Sequence, residues 1–151
     1  MKEMMARFVI QKDSEEILLW RNDADSRNNF LESSEVSREE HESWLTKKLS
    51  SKLAKLIILE KGKDKIGIVR YEKEGDYSLV SINLNPKFRG KGYGSKLLLL
   101  SEEVLDFSNK KIIFKAHILK NNKPSISIFE KAGYELESDS RKLLVYKKIV
   151  R

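Results

Sequence analysis

The run Arg89-Gly90-Lys91-Gly92-Tyr93-Gly94 constrains this chain more than any other stretch. It follows an alternating, strand-like segment, Ser78-Leu79-Val80-Ser81-Ile82-Asn83-Leu84, and precedes a leucine-rich segment that reads as a helix opening near Ser95. Glycine at every second position leaves backbone N–H groups uncovered at a helix N-terminus, where the dipole is positive. That is a seat for a diphosphate. Larger side chains would hold the phosphates off the backbone. A glycine-rich surface turn with solvated lysines is the plainer reading of the same residues. Two familiar phosphate loops do not fit. A P-loop needs four residues between its first glycine and Gly-Lys-Ser/Thr, and Gly94-Ser95-Lys96 has the wrong order. A dinucleotide fingerprint needs a third glycine where Ser95 stands, within an early βαβ unit that is missing.

Composition narrows the field. A chain of 151 residues with 40% hydrophobic residues can bury the core of one domain, and residues 1–151 are expected to form a single one. There is no cysteine, so disulfides, cysteine-rich zinc sites and thiol nucleophiles are all excluded. With no apolar run of spanning length and a polar start, a cytoplasmic protein without a membrane is expected. His41 and His117 are too few and too far apart to suggest a metal centre. The net charge of +7 is spread along the chain, with no dense basic tract interleaved with aromatics. A solvated lysine surface suited to anionic ligands is favoured over a nucleic-acid face.

Periodicity gives an order of elements. Met4 to Ile10 reads as a strand, and Asp13 can cap a helix running to Trp20-Arg21. A polar stretch from Asn22 to Glu35 follows. Ser37-Arg38-Glu39-Glu40 is a capping box opening a second helix through Leu49. Residues 53–60, 65–72 and 77–84 are strands on short turns, hence antiparallel neighbours. A helix over 95–107, a strand over 111–118, a helix from Pro124 to Ala132-Gly133 and a strand over 141–150 complete the order β-α-α-β-β-β-α-β-α-β, with room for a short strand after Gly133. This is a mixed α/β sheet.

Two motifs together carry a resemblance. Arg89, Gly92 and Gly94 fill the pattern Arg/Gln-x-x-Gly-x-Gly/Ala after a strand. One strand further on, Asn122-x-x-Ser125-x-x-x-Phe129-Glu130-Lys131-x-Gly133-Tyr134 resembles Asn-x-x-Ser-x-x-x-Phe/Tyr-Glu-Lys-x-Gly-Phe. Both resemble the GNAT acyltransferase superfamily, most strongly from Tyr77 to Tyr134. The resemblance implies a GNAT fold, its mixed sheet splayed at the strand before the glycine loop by a β-bulge. It also implies direct transfer of an acetyl group from acetyl-CoA to a primary amine, without a metal. The coenzyme would then lie on Ile82, Asn83, Leu84, the loop Arg89, Gly90, Lys91, Gly92, Tyr93, Gly94, Ser95, and on Asn122, Ser125 and Phe129. Ile82 and Leu84 would look the same in an ordinary buried strand, and Asn122 is equally a helix cap before Pro124.

Acyl transfer needs a donor for the developing oxyanion, and an N–H near Leu84 is the implied source. Many relatives have a tyrosine acid where this chain has Phe129. Ser125, Tyr134 and Tyr93 are the substitutes, or the thiolate leaves unaided. The acceptor is expected on the N-terminal third. Trp20-Arg21-Asn22, Arg27, Phe30, His41 and Trp44 resemble the subgroup that acetylates amino-sugar nucleotides, notably the pseudaminic-acid-pathway enzymes, and less fully the ribosomal-protein alanine N-acetyltransferases. Each tryptophan is either a sugar platform or core, and His41 either assists deprotonation or packs. His117, inside a strand, reads as structural. Expected partners are thus a small amine, nucleotide-linked in the first reading and a peptide N-terminus or other small amine in the second, for a monomer or homodimer. A coenzyme-binding regulator is the alternative that Phe129 keeps open.

Overall fold

The computed structural model describes residues 3–24, 26, 34–105 and 110–150. Its strands are β1 (Met4–Phe8), β2 (Ala54–Lys61), β3 (Asp64–Glu74), β4 (Tyr77–Leu84), β5 (Ile112–Leu119), β6 (Glu135–Asp139) and β7 (Leu143–Val150). Its helices are α1 (Ser14–Asn22), α2 (Arg38–Ser50), α3 (Tyr93–Val104) and α4 (Lys123–Lys131). The expected order holds, and the short strand after Gly133 is β6.

The strands form one sheet in the order β1-β2-β3-β4-β5-β7-β6. Every pairing is antiparallel except β4 with β5, where only Ser78↔Phe114 and Leu79↔Lys115 pair, in parallel. Beyond them the two strands part, so the sheet is splayed as expected. The expected bulge in β4 is absent: its register against β3 runs unbroken from Gly67↔Leu84 to Glu74↔Tyr77. Irregularities lie instead at Leu59/Glu60 and Leu136/Ser138. The splay therefore comes from β4 and β5 diverging.

Strand alternation sorts side chains onto two faces. On one, Ile57, Val69, Val80, Leu84, Phe114 and Ala116 pack with Leu97 and Leu98 of α3 and Phe129 of α4. On the other, Leu56, Ile58 and Ile68 pack with Ile17 and Trp20 of α1 and Leu45 of α2. The second face builds the acceptor side, and β4 belongs to both.

Some boundaries moved for visible reasons. β1 stops at Phe8 because the Asp13 carboxylate accepts from Ile10 N–H at 2.9 Å, turning the chain into a 3-10 turn at Gln11–Asp13. Asp13 thus caps that turn and makes no side-chain cap to α1. The same carboxylate, 1% exposed, binds Arg7 (2.9 Å) and Lys65 (2.9 Å). Burial would raise its pKa. The Arg7 guanidinium, Ile10 N–H and Lys65 ammonium outweigh that and hold it well below the carboxylate range. α2 has the expected cap, Ser37 Oγ accepting from Glu40 N–H at 3.1 Å.

Candidate active site

Between the parted strands and the α1/α2 face lies a cleft of about 1080 Å³. Its donor end is β4. Asn85 N–H donates to Ile66 O at 2.8 Å, in line with the β3–β4 register. Antiparallel alternation then turns the backbone of Asn83 and Ser81 to β3, and that of Val80, Ile82 and Leu84 toward the gap. Of the three coenzyme residues expected on this strand, Ile82 and Leu84 face the gap with their backbone, while Asn83 offers its side chain. Its Oδ1 accepts from Ser26 Oγ at 3.2 Å.

The glycine loop supplies a bare helix end. Gly92 is the N-cap of α3 at φ 82°, with no side-chain cap, and a Cβ there would meet nothing within 4 Å. α3 therefore opens at Tyr93, two residues before the expected Ser95. Gly94 does a different job: a Cβ would come within 2.5 Å of Ile128 Cδ1, so it lets α3 pack against α4. Gly90 lines the cleft, whereas residues 91–95 do not. Tyr93 Oη instead accepts from Lys61 Nζ at 2.9 Å, which lowers the pKa of the phenol.

Arg89 reaches away from the loop. Its Nη1 binds Asp23 Oδ2 at 2.8 Å, and its Nη2 donates to Ser26 Oγ and to Leu84 O at 3.0 Å. The expected phosphate ligand is thus a tie between the segment after α1 and the end of β4.

α4 closes one wall. Asn122 Oδ1 accepts from Ser125 N–H at 3.2 Å, which is a helix cap, while Asn122 and Ser125 also line the cleft. Phe129 lines it too and covers Tyr134, which meets it edge-on at 4.9 Å. Tyr134 does not reach the cleft. Its hydroxyl is buried without a partner among the described residues, and burial pushes its pKa strongly upward. A screened phenol is a poor acid, contrary to the expectation. Tyr134→Phe should therefore leave turnover unchanged and raise stability by about 1 kcal/mol, since it removes an unsatisfied polar group. Chemical denaturation and steady-state rates check both halves.

The acceptor end rests on the α1/α2 face. Trp20 is 4% exposed and belongs to the core, not to a sugar platform. Asn22 is a tether, its amide exchanging hydrogen bonds with the Val36 backbone at 2.7 and 2.8 Å. Arg27 and Phe30 lie outside the described residues. Arg21, His41 and Trp44 do line the cleft. The His41 ring stacks on Trp44 at 5.6 Å, and its Nε2 is buried without a partner among the described residues. Burial pulls its pKa below the ordinary value, against smaller opposing effects of the Ser14 backbone and Glu42. A neutral imidazole at pH 7 follows.

Several cleft residues escaped the sequence reading, with Arg70, Ser81 and His117 among the polar ones. Arg70 sits directly across from Ser81 in the β3–β4 register, on the face of Ile68 and Asn83. His117, expected to be structural, is exposed on the cleft where β5 has left β4. Alternation puts Arg70 on the face of Ile68 and His117 on the face opposite Ala116, a placement readable only once the strand faces are known. Among the described residues, no cluster of His, Cys, Asp or Glu could hold a metal, and no helix is long and apolar enough to cross a membrane.

A splayed strand with free backbone groups, beside a helix that begins on an open glycine, is how an acyltransferase holds a long phosphate-bearing thioester. The family model for acetyltransferases (GNAT) matches residues 16–134, and the chain belongs to that family. It is accordingly an acetyl-CoA-dependent N-acetyltransferase. Solved structures agree on the fold. A domain from Methanocaldococcus jannaschii DSM 2661 superposes with a TM-score of 0.83 at 23% identity, covering 99% of this chain and 100% of that one. Spermidine N-acetyltransferase from Vibrio cholerae, in complex with CoA and spermine, gives 0.82 at 17% identity over 97% and 95%. The aminoglycoside acetyltransferase AAC(6')-Ib in complex with coenzyme A gives 0.79 at 17% over 97% and 94%. Among curated proteins no sequence matches significantly.

Proposed function

We propose that this enzyme acetylates the primary amine of an amino sugar carried on a nucleoside diphosphate, as a single cytoplasmic domain. The carrying observation is the charge of the cleft. Its described lining holds three arginines, Arg21, Arg70 and Arg89, the last of them paired with Asp23, against one carboxylate, Glu40. A polycation such as spermine calls for the reverse balance, whereas a diphosphate gains from this one. The sequence pattern around Trp20 to Trp44 points the same way.

The residues present fit the donor. The gap-facing backbone of Val80, Ile82 and Leu84 can pair with a pantetheine arm, and the N-terminus of α3 suits its diphosphate. In the transfer itself the neutral amine attacks the thioester carbon. The C–N bond forms, the C–S bond breaks, and the amine proton passes to His41 Nε2. Leu84 N–H faces the gap where negative charge develops. The departing thiolate takes a proton from Ser125 or from water.

Donor binding is tested by melting. A ligand at a hundred times its dissociation constant adds about 2.7 kcal/mol, so acetyl-CoA should raise Tm by about 5–10 °C, and NAD or ATP should not. Gly92→Val, which fills the open space at the helix end, should abolish the shift. The acceptor is tested by a rate panel of UDP-linked amino sugars, spermidine, kanamycin and short peptides. Preference for a peptide N-terminus or a polyamine, with amino-sugar nucleotides inert, would replace this acceptor and leave the acetyltransferase in place.

A further inference from the structure

We propose that Arg70 is the anion-reading residue of the acceptor pocket, its guanidinium fork receiving a phosphate or carboxylate of the acceptor. This rests on the anionic acceptor proposed above and names the group that selects it.

Arg70 projects from β3 onto the acceptor face, opposite Ser81 and beside Ile68. Two neighbours fix the guanidinium. Nε binds Glu72 Oε1 at 2.7 Å, and the group lies 5.4 Å from the Trp44 ring. Its two Nη atoms have no protein partner among the described residues, the side chain is 33% exposed, and the residue lines the cleft. Glu72 does not cancel the charge, because its other oxygen is bound by Lys48 at 2.5 Å. A held fork with free terminal donors matches a planar or tetrahedral oxyanion. Arg89 contrasts with it: both its Nη atoms are engaged by Asp23, Ser26 and Leu84. The Arg70 guanidinium over the Trp44 ring also offers a surface that a base or sugar can contact. The β4–β5 gap opens on the far side of Ser81, so an acceptor anchored at Arg70 has the floor of the cleft along which to extend its amine.

Calorimetry on the CoA-loaded enzyme isolates this seat, since the donor's own phosphate seat is then filled. UDP and glutamate are the probes, one for phosphate and one for carboxylate. Wild type should bind UDP. Arg70→Ala should weaken that binding about tenfold to a hundredfold, in the range of charge-assisted hydrogen bonds, and Arg70→Lys should recover part of it. CoA affinity and melting temperature should stay at wild-type values. Equal affinity in wild type and Arg70→Ala, or no binding of either probe to wild type, overturns the assignment. So does a parallel loss of CoA affinity in both variants, the mark of a structural arginine. If glutamate but not UDP depends on Arg70, the anion seat stands and the nucleotide-linked acceptor falls. If a UDP-linked amino sugar is acetylated with the same KM by wild type and Arg70→Ala, the acceptor stands and the role of Arg70 falls.

Discussion

Asp13→Ala should cost about 3 kcal/mol of folding stability, the lower end for breaking a buried ion pair. The lower end applies because Arg7 and Lys65 are 31% and 22% exposed and recover water when freed, while Asp13 itself is 1% exposed. The residue joins β1, the first turn and β3 at one point, so its loss frees Ile10 N–H as well. A melt should fall by about 6–12 °C. The pH dependence has a definite sign. The folded carboxylate is held well below its unfolded value of about 3.9. Its contribution is therefore complete above about pH 5 and declines as pH falls below that. The gap between wild type and Asp13→Ala should be constant from pH 5 to 8 and narrow below pH 4. A gap that persists in full at pH 2.5 would assign the loss to packing.

His41→Ala should lower kcat about a hundredfold with acetyl-CoA affinity kept, the usual size of a general-base effect. His41 lines the cleft, and its buried Nε2, without a partner among the described residues, motivates this. Because burial lowers its pKa below 6.5, the imidazole is a ready base at neutral pH, and the acid limb of the rate profile should lie below that value. The limb should vanish in the variant. His41 also adds an acid-side stability loss, because a buried imidazole kept neutral must charge as pH falls through its lowered folded pKa. A variant that alters melting alone, with the rate profile intact, makes His41 a packing residue. His117→Ala is then the next variant to assay, being exposed on the same cleft.

The element order was legible because the two strand turns carry glycines and the helices carry caps: Gly62 and Gly75 at positive φ, Ser37 before α2, Pro124 in the first turn of α4. Local chemistry decides those positions, so local sequence reports them. The splay was legible only through family resemblance, and its cause was misread, since the course of β5 relative to β4 is a tertiary matter. The site divided along the same line. Gly92, Leu84, Ser125, His41 and Trp44 stand at the cleft or its helix end, within or near recognisable motifs. Trp20, Asn22 and Tyr134 carried the right chemistry on the wrong side of a helix or behind another ring. Arg70 and His117 were invisible because a single polar residue in a strand shows nothing until its face is known.

The parting of β4 from β5 has a mechanical consequence. One part of the sheet is β1 to β4 and the other is β5, β7 and β6, joined edge to edge by two residue pairs. Elsewhere along that seam the halves are coupled through the helices laid against them. A pantetheine arm pairing with the open edge of β4 would act as a missing strand. The co-substrate would then be a temporary structural part of the enzyme, a brace that the catalytic cycle inserts at its start and withdraws at its end.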